Sequence, residues 1–349
     1  MEGNIFYVAG YKVLLNGSDI PSELLVDLIE LTVQDDINLP SLFIIRLNIV
    51  DFQKGDTKGI DLKNFMIGDV VKIQMGIDDH VDIMTGEITS LDFSFEKAPF
   101  MEIRGYDRLH RLRFGTKRRS FKNTKDSDIA SLIASEINLT PEVESTGTTH
   151  PYIFQNNQSN YDFLLERAKR IGYELLADDR KLIFRKSKES KSPDISLEYG
   201  KDFQNFSIQI RTLTEGSKVE LRGWDIKNKR EIISSISKGS EQTKMAGKES
   251  GFEISENAFN SSTVAIVDNM VMDPDEAENI AKARFNLMLK EFIAGNGKCK
   301  GNPAIRAGKT IGIKGLGDRI SGVYYIVSTV HSMKNGAYNT SFKVRRTGI

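Results

Sequence analysis

The chain has 349 residues, with 48 Lys and Arg against 48 Asp and Glu, so its formal net charge is zero. A neutral chain lacks the overall field that steers dedicated nucleic-acid binders and proteins of anionic membranes to their targets. Hydrophobic residues make up 39% and charged residues 28%, which is ordinary for a globular protein. The length predicts two or three domains.

A single cysteine, Cys299, excludes an internal disulfide framework. It stands in GNGKCKGNP between two lysines, a setting that lowers a thiol pKa, although a plain turn residue is the favoured interpretation. The N-terminal MEGNIFYVAG has neither a basic region nor a long apolar region, and no window approaches eighteen apolar residues. We therefore expect no signal peptide and no membrane insertion by this chain.

Alternating apolar residues predict strands across the first hundred residues. The alternating runs are 29–33, 43–49, 71–75, 91–95 and 101–103. Asn16-Gly17 is a favourable hairpin turn. Period-two alternation with short polar breaks predicts an antiparallel sheet that curls into a barrel or sandwich. We predict a first tube-like β-barrel over residues 1–107.

Residues 108–187 combine helical and strand patterns. Helical spacing is followed by Ile129, Leu132, Ile133 and Ile137. Ser159 and Asp162 form a capping pattern ahead of a second helix, which Gly172 ends. YELLADDRKLIFRK then predicts a hairpin that turns at Asp178-Asp179. These patterns predict an α+β middle domain, followed by the polar linker KSKESKSPD.

Strand patterns return over residues 188–349, which we predict to be a second tube-like β-barrel. The polar stretch 235–262 predicts a long loop. A helix is predicted over 273–292, with Asp273 as its cap and Pro274 at its first position. Its buried stripe consists of Ala277, Ala281, Phe285, Met288 and Phe292. Asn335-Gly336 predicts a second hairpin turn.

An internal echo links residues 68–107 to residues 308–347. Each segment has a Gly-led strand, a turn, a second Gly-led strand, a hairpin loop and a strand that ends near an arginine. Two neighbouring β regions can also look alike by chance. If the echo is real, the fold is mainly β with an α+β insertion, and two similar antiparallel barrels flank the middle domain.

Motifs that carry chemistry are scarce. AGKT at 307–310 lacks the earlier glycine of a phosphate-binding loop, because that position is Pro303, and GLGDRI has Ile320 in place of a third glycine. Asp78, Asp79 and His80 fit a polar hairpin tip better than a metal site. The sequence does not exclude a pair of carboxylates that acts as in a glycosidase, because Asp and Glu are abundant. We predict no catalytic residues, no metal and no cofactor, and a binding or structural role instead of an enzyme.

GYDRLHRLRFGTKRRSFK at 105–122 concentrates basic side chains. They are Arg108, Arg111, Arg113, Lys117, Arg118 and Arg119. Leu109 and Leu112 between them predict one packed side and one charged side. A subunit or partner interface, a solvated surface and a nucleic-acid contact all remain open for these six residues. Since no helix-turn-helix accompanies them, we expect no specific nucleic-acid partner.

RGYDRLHRL, followed by NTKDSDIASLIASEINL and NQSNYDFLLERAKRIGYEL, resembles the phage late control gene D and VgrG-like family. The C-terminal segment from GNPAIRAGK to TSFKVRR also resembles that family's closing barrel, so the resemblance covers nearly the whole chain. It implies a structural baseplate hub of a contractile phage tail or a phage-like contractile injection system. In such a hub, two barrels per subunit and three subunits form a pseudo-sixfold ring that joins the central spike to the hexameric tail tube.

The resemblance also implies partners for the chain: further copies of itself in a homotrimer, a spike protein, the tail tube protein and other baseplate components. Full VgrG proteins carry an OB-fold and a needle after the hub. Because this chain stops at Ile349, we expect a separate spike protein to supply the needle. We expect synthesis in the bacterial cytoplasm and assembly into a virion or an injection-system baseplate. The alternative function is a tail-associated cell-wall hydrolase.

Overall fold

The computed structural model describes residues 9–21, 24, 26–51, 56–57, 65–77, 79–189, 192–225, 228–267, 271 and 273–349. Strands dominate these residues, and the predicted mainly β class with an α+β insertion is confirmed. Apolar side chains gather in three main clusters, one for each of the N-terminal, middle and C-terminal parts of the chain.

The N-terminal part is built from strands whose alternate side chains enter one core. They are β1 (Ala9–Leu15), β2 (Ser18–Asp19), β3 (Leu28–Asp36), β4 (Leu42–Asn48), β5 (Val50–Asp51), β6 (Asp56–Thr57), β7 (Val70–Ile77), β8 (Val81–Ser94) and β9 (Phe100–Tyr106). On β4, Phe43, Ile45 and Leu47 are buried and their neighbours are half-buried, as period-two alternation predicts. The Asn16-Gly17 turn between β1 and β2 has positive φ at both positions, which matches the predicted hairpin turn.

The middle part encloses its own core between helices and two small sheets. Its elements are a 3-10 helix (Arg108–Arg113), β10 (Lys117–Thr124), α1 (Asp126–Glu136), β11 (Thr140–Val143), β12 (His150–Gln158), α2 (Asn160–Arg170), β13 (Tyr173–Asp178) and β14 (Lys181–Lys186). Ser159 accepts a hydrogen bond from the Asp162 N–H at 3.0 Å, as its capping pattern predicts. Leu132 is exposed on α1, so the predicted apolar stripe is narrower than expected.

The C-terminal part combines strands with the helix predicted from Asp273 and Pro274. Its elements are β15 (Ile195–Glu198), β16 (Phe203–Ile210), β17 (Lys218–Asp225), β18 (Arg230–Ile236), α3 (Gly251–Phe259), β19 (Thr263–Ile266), α4 (Pro274–Leu289), β20 (Ile293–Lys300), β21 (Thr310–Lys314), α5 (Gly317–Ile320), β22 (Gly322–Lys334) and β23 (Ala337–Arg346). Asp273 caps α4 by accepting from the Glu276 N–H at 2.8 Å. The predicted stripe is buried, but α4 ends at Leu289, before Phe292.

The prediction that 235–262 forms a long loop is wrong, because α3 (Gly251–Phe259) lies within it. Ser250 accepts from the Glu253 N–H, and the Glu253 carboxylate accepts from the Ser250 N–H, which completes a capping box. Phe252 is fully buried and stacks on Phe285 with ring centroids 4.0 Å apart. The Ser-x-x-Glu pattern was the available signal, and the polar composition of the stretch masked it.

The prediction that GNGKCKGNP forms a turn at Cys299 is also wrong, because Cys299 lies on β20. Side chains along β20 alternate between buried and exposed positions. A Cβ atom at Gly297 would approach the Phe342 ring to 2.4 Å. The glycines therefore make room for aromatic rings on neighbouring strands, a packing role that a strand glycine fulfils without any turn.

One large sheet runs through both ends of the chain. Its strand order is β16-β20-β23-β22-β3-β4-β9-β8-β7-β1-β2, with β21 also paired to β22 and β15 paired to β21. Over the described residues this sheet does not close on itself, so the two expected barrels are two halves of one open sheet. Strands β17, β18 and β19 form a separate sheet against α4.

The two halves have the same strand order, although β1 pairs antiparallel with β7 whereas its counterpart β15 pairs parallel with β21, contrary to the expected all-antiparallel arrangement. The first half-sheet runs β1-β7-β8-β9-β4-β3, and the second half-sheet runs β15-β21-β22-β23-β20-β16. When the six strands of each half are numbered in chain order, strands with the same number also occupy the same position in the two half-sheets. The Gly68 N–H donates to the Ile88 carbonyl at 2.8 Å, and the Gly308 N–H donates to the Ile326 carbonyl at 2.9 Å. The internal echo is therefore a repeated strand order with a repeated hydrogen bond.

The β22·β3 junction joins the two half-sheets. These strands pair antiparallel, from Ser328 opposite Asp36 to Lys334 opposite Glu30. The junction strands lie about three hundred positions apart in the sequence. They make the two half-sheets one continuous hydrogen-bonded surface.

Candidate interaction surfaces

Among the described residues, no group of three or more His, Cys, Asp or Glu side chains lies close enough together to hold a metal ion. Asp78, one of the three residues weighed as metal ligands, lies outside the described residues. In the part of the chain that the structure describes, no helix combines the length and apolar character needed to cross a bilayer.

Cys299 is buried on β20, where its thiol donates to the Thr340 carbonyl at 3.6 Å. Burial raises the pKa of the thiol to about 12, so the flanking lysines do not lower it. A protonated, buried thiol is a poor nucleophile. Cys299 therefore has a packing role in the second half-sheet.

Arg108 and Arg111 from the basic cluster bind inside the subunit. The Arg111 guanidinium donates to both oxygens of Glu87, at 2.5 and 2.8 Å. The Arg108 Nε lies 3.4 Å from Glu87 Oε1, and its Nη1 pairs with Asp179. Leu109 and Leu112 are fully buried between these arginines, so the predicted packed side is confirmed. These contacts attach the 3-10 helix to β8 of the first half-sheet.

Arg113 and Arg119 also have intramolecular partners. Arg113 lies over the Tyr161 ring, 4.4 Å from its centroid. Arg119 pairs with Glu136 and donates to Gln155 at 2.9 Å. Four of the six basic side chains therefore have partners within the same subunit.

Lys117 and Arg118 are the two members of the cluster that are open to a partner. Both side chains are exposed on β10, and neither has an ion pair or side-chain hydrogen bond with any described residue. By contrast, Arg108, Arg111 and Arg119 pair with carboxylates of the same subunit, and Arg113 lies over the Tyr161 ring. The candidate interface therefore narrows to this pair.

An ionic ladder crosses five strands on the polar face of the large sheet. Its members are Lys334, Glu30, Arg46, Glu102, Arg104 and Asp92. Burial by itself would raise the pKa of Glu102, but hydrogen bonds from Arg46 and Arg104 outweigh it and hold the pKa below its ordinary value. The ladder bridges the β22·β3 junction, so this face stays polar where the half-sheets meet.

A buried polar cluster joins the middle part to the second half-sheet. Tyr325 donates to Glu174 at 2.6 Å, and Arg345 contacts Glu174 at 3.4 Å and Glu189 at 2.7 Å. The Arg345 guanidinium also lies over the Tyr325 ring, 4.7 Å from its centroid. Buried charged groups of this kind favour a single geometry. If one member moves, its partner is left buried without a hydrogen bond, and no water is there to replace it.

A second buried cluster joins α2 to α4. The Arg167 Nε donates to Asp126 at 2.5 Å, and the Arg170 Nη2 donates to Glu276 at 3.1 Å. His150 lies between them, 3.3 Å from Asp126 and 3.5 Å from Glu276. Sequence analysis missed both clusters, because their members are scattered along the chain and no local pattern links them.

The family model described as the Alg8 N-terminal domain matches residues 7–335. The chain belongs to the Alg8 N-terminal domain family. No curated protein matches this family member.

Solved structures similar to this Alg8 N-terminal domain family member include tail proteins. A 43 kDa tail protein of prophage MuSo2 from Shewanella oneidensis has a TM-score of 0.74 at 12% identity, over 97% of this chain and 98% of its own. A tail protein from Neisseria meningitidis MC58 has a TM-score of 0.71 at 12% identity, over 97% of each chain. The chain therefore has the fold of these tail proteins.

A third similar structure is an E. coli component of the type VI secretion system, described as structurally similar to the T4 bacteriophage tail proteins gp27 and gp5. Its TM-score is 0.60 at 11% identity, over 97% of this chain and 77% of that protein. At this identity the likeness of the Alg8 N-terminal domain family member is one of fold.

Proposed function

We propose that the chain is a structural baseplate hub of a contractile phage tail or a phage-like contractile injection system. The observation that carries this proposal is the pair of half-sheets with the same strand order in one chain, within a fold that the MuSo2 prophage and Neisseria tail proteins share. Three copies present six half-sheets. Six half-sheets of the same strand order match a hexameric tail tube on one side, and three copies match a threefold spike on the other.

Two further observations support the hub. The motifs from RGYDRLHRL to NYDFLLERAKRIGYEL resemble the late control gene D and VgrG-like family. The E. coli protein of similar fold is a component of the type VI secretion system. The proposed partners are two further copies of the chain, a spike protein, the tail tube protein and other baseplate components, in a virion or an injection-system baseplate.

The test is the solution mass of the purified chain, measured by light scattering with and without the candidate spike protein. A closed ring of three has a mass of about 118 kDa, which is three times 39.2 kDa. We expect this species alone or once the spike is added. A chain that remains monomeric in both conditions contradicts the hub proposal.

Lys117 and Arg118 are proposed to contact a subunit or partner. Lys117→Glu combined with Arg118→Glu reverses the charge of this pair, so we expect weaker ring formation with little change in the unfolding free energy. Lys122→Glu, also exposed on β10, is the matched control and should assemble normally. Equal assembly of both variants counts against the interface.

The proposed role needs no catalysis. Incubation of the chain with peptidoglycan should leave the turbidity of the suspension unchanged. Clearing of the suspension favours a tail-associated hydrolase over the hub alone.

A further inference from the structure

Two strand edges that have no strand partner among the described residues belong to the counterparts of β22 and β3, the two strands that meet at the junction. In the second half-sheet, β22 pairs with β21 before a bulge at Ile326/Ser328 and with β3 after it. In the first half-sheet, β8 pairs with β7 up to Glu87 and has a bulge at Ile88/Ser90. Over the described residues, no strand pairs with that edge of β8 after the bulge.

Strand β16 is the counterpart of β3. Both strands carry a bulge at the corresponding point, Leu28/Glu30 in β3 and Phe203/Asn205 in β16. One edge of β16 pairs with β20, and no described strand pairs with its other edge along Phe206–Ile210. Within the described residues, the edges of β22 and β3 are therefore paired with each other, whereas the equivalent edges of β8 and β16 are not.

Because the bulges of β8 and β16 lie at the same places as those of β22 and β3, the register of the junction can be applied to β8 and β16. At the junction, His331 lies opposite Val33 and Ser332 lies opposite Thr32. Counting from the bulges, the equivalent partners are Phe93 opposite Ile208 and Ser94 opposite Ser207. By the same count, Leu91 lies opposite Ile210 and Asp92 opposite Gln209.

The backbone groups at the edge of β16 suit this pairing. The Arg211 N–H donates to the Phe292 carbonyl at 2.9 Å, across to β20. Antiparallel hydrogen bonding alternates along a strand, so Ile208 and Ile210 direct their N–H and C=O groups away from β20. At the junction, the Ile37 N–H donates to the Val327 carbonyl at 3.1 Å, which by the same alternation directs Val33 toward β22. Ile208, the equivalent of Val33, thus presents its backbone groups in the same way.

The side chains at the two edges are also complementary. Val33 and His331 are fully buried at the junction, while their equivalents Ile208 and Phe93 are only half-buried. Docking would bury them in an apolar row that Leu91 and Ile210 continue. Asp92 and Arg211 become diagonal neighbours of opposite charge, which favours this register over a shifted one.

We propose that the β16 edge of one copy pairs antiparallel with the β8 edge of the next copy, in this register. The contact between copies then repeats the contact that β22 and β3 make within one copy. It is head-to-tail, so repetition gives a closed ring or an open filament. The closed ring rests on the proposed function, whereas the pairing is argued from the repeated sheet alone.

The test uses two single-cysteine variants of the full chain, Ser94→Cys and Ser207→Cys. The proposed pair is a non-hydrogen-bonded one, with Cα atoms about 4.5 Å apart, which is within reach of a disulfide. The native Cys299 is buried, and its raised pKa keeps it out of the reaction. Under mild oxidation we expect a disulfide-linked pair of chains when the variants are mixed, and none when either is oxidised by itself.

A register control replaces Ser207→Cys with Gln209→Cys. Its distance from position 94 is diagonal, about 7–8 Å, so we expect cross-linking to be at least about tenfold slower than for the matched pair. Equal rates for both pairs overturn the register. Cross-linking of Ser94→Cys with itself also overturns the proposal, because it indicates symmetric pairing of β8 edges.

Light scattering on the same samples separates the pairing from the proposed function. A 118 kDa species that forms without the mixed disulfide contradicts the proposed strand pairing but not the proposed hub function. A mixed disulfide in open chains of variable length supports the pairing and contradicts the closed ring. Monomers without a disulfide, with or without the spike, contradict both.

Discussion

Tyr325 donates its phenolic hydrogen to the Glu174 carboxylate across 2.6 Å. Tyr325 lies on β22 of the second half-sheet, and Glu174 lies on β13 of the middle part. Both side chains are almost fully buried. Burial also raises the pKa of Tyr325 above its ordinary value, so its hydroxyl keeps its proton and donates at neutral pH.

We expect Tyr325→Phe to lower the unfolding free energy by about 1–3 kcal/mol, because it leaves a buried carboxylate without one of its donors. Urea unfolding followed by far-UV circular dichroism measures this change. Tyr152→Phe is the control, since that side chain is exposed, and it should stay within about 0.5 kcal/mol of the parent protein. If Tyr325→Phe and Tyr152→Phe change the unfolding free energy equally, the buried cluster does not stabilise the contact between the middle part and the second half-sheet.

Phe252→Ala should lower the unfolding free energy by about 3–5 kcal/mol, because it removes a fully buried ring stacked on Phe285. Phe259→Ala is on the same helix, and its side chain is exposed. We expect it to cost less than about 0.5 kcal/mol. If both substitutions cost little, α3 does not contribute to the core of the C-terminal part.

Arg119→Ala should destabilise the chain by about 1–3 kcal/mol, because it removes hydrogen bonds to Glu136 and Gln155. Its neighbour Arg118 is exposed, so Arg118→Ala should leave the unfolding free energy within about 0.5 kcal/mol of the parent protein. Chemical denaturation of the pair measures the contrast. A charge reversal at Arg119 is consequently a poor test of assembly, because it also perturbs folding. Equal unfolding free energies of Arg119→Ala and Arg118→Ala would contradict the conclusion that Arg119 stabilises the subunit and Arg118 does not.

Asp107 predicts a pH dependence of stability. Burial raises the pKa of its carboxyl from 3.8 to about 7, although hydrogen bonds from the Ser41 and Leu109 N–H groups oppose the shift. Between these two values the folded chain holds a proton that the unfolded chain has released. The contribution of Asp107 to stability is therefore largest below about pH 4, falls as the pH rises, and is constant above about pH 7.

Asp107→Asn removes this titration. The unfolding free energy of the parent protein minus that of the variant should decrease between pH 5 and 7, by at most about 1.4 kcal/mol per pH unit, and level off above pH 8. Burial lowers the pKa of His331 to about 4, which acts in the opposite direction below pH 6.5, but His331 is common to both proteins and cancels. A difference that does not change with pH would contradict a protonated Asp107.

Elements with a local stop or start signal could be predicted from the sequence. Ser159 and Asp273 cap the helices they were expected to cap, and Asn335-Gly336 forms the β22–β23 turn with positive φ at both residues. Helix α3 escaped prediction, although its capping box was present, because the stretch is mostly polar and Phe252 is the one fully buried large side chain of the helix. Its stability depends on the ring of Phe285, which lies on another helix.

The six residues proposed as an interface show the limit of prediction for a site. Leu109 and Leu112 predicted a packed side, which the structure confirms. The sequence contained no sign that Glu87 would hold Arg108 and Arg111, because the carboxylate reaches them from a strand more than twenty residues earlier. Only the folded chain distinguishes Lys117 and Arg118 from the other four.

The sequence by itself determined the strand alternation, the helix caps, the hairpin turns and the echo between residues 68–107 and 308–347. These features depend on hydrogen bonds and side-chain directions within a few residues, so a short pattern contains them. Tertiary structure alone decided that β22 pairs with β3 and that edges of β8 and β16 remain without a described strand partner. Such pairings join segments far apart in the chain, and they depend on which apolar faces are buried together once the core has formed.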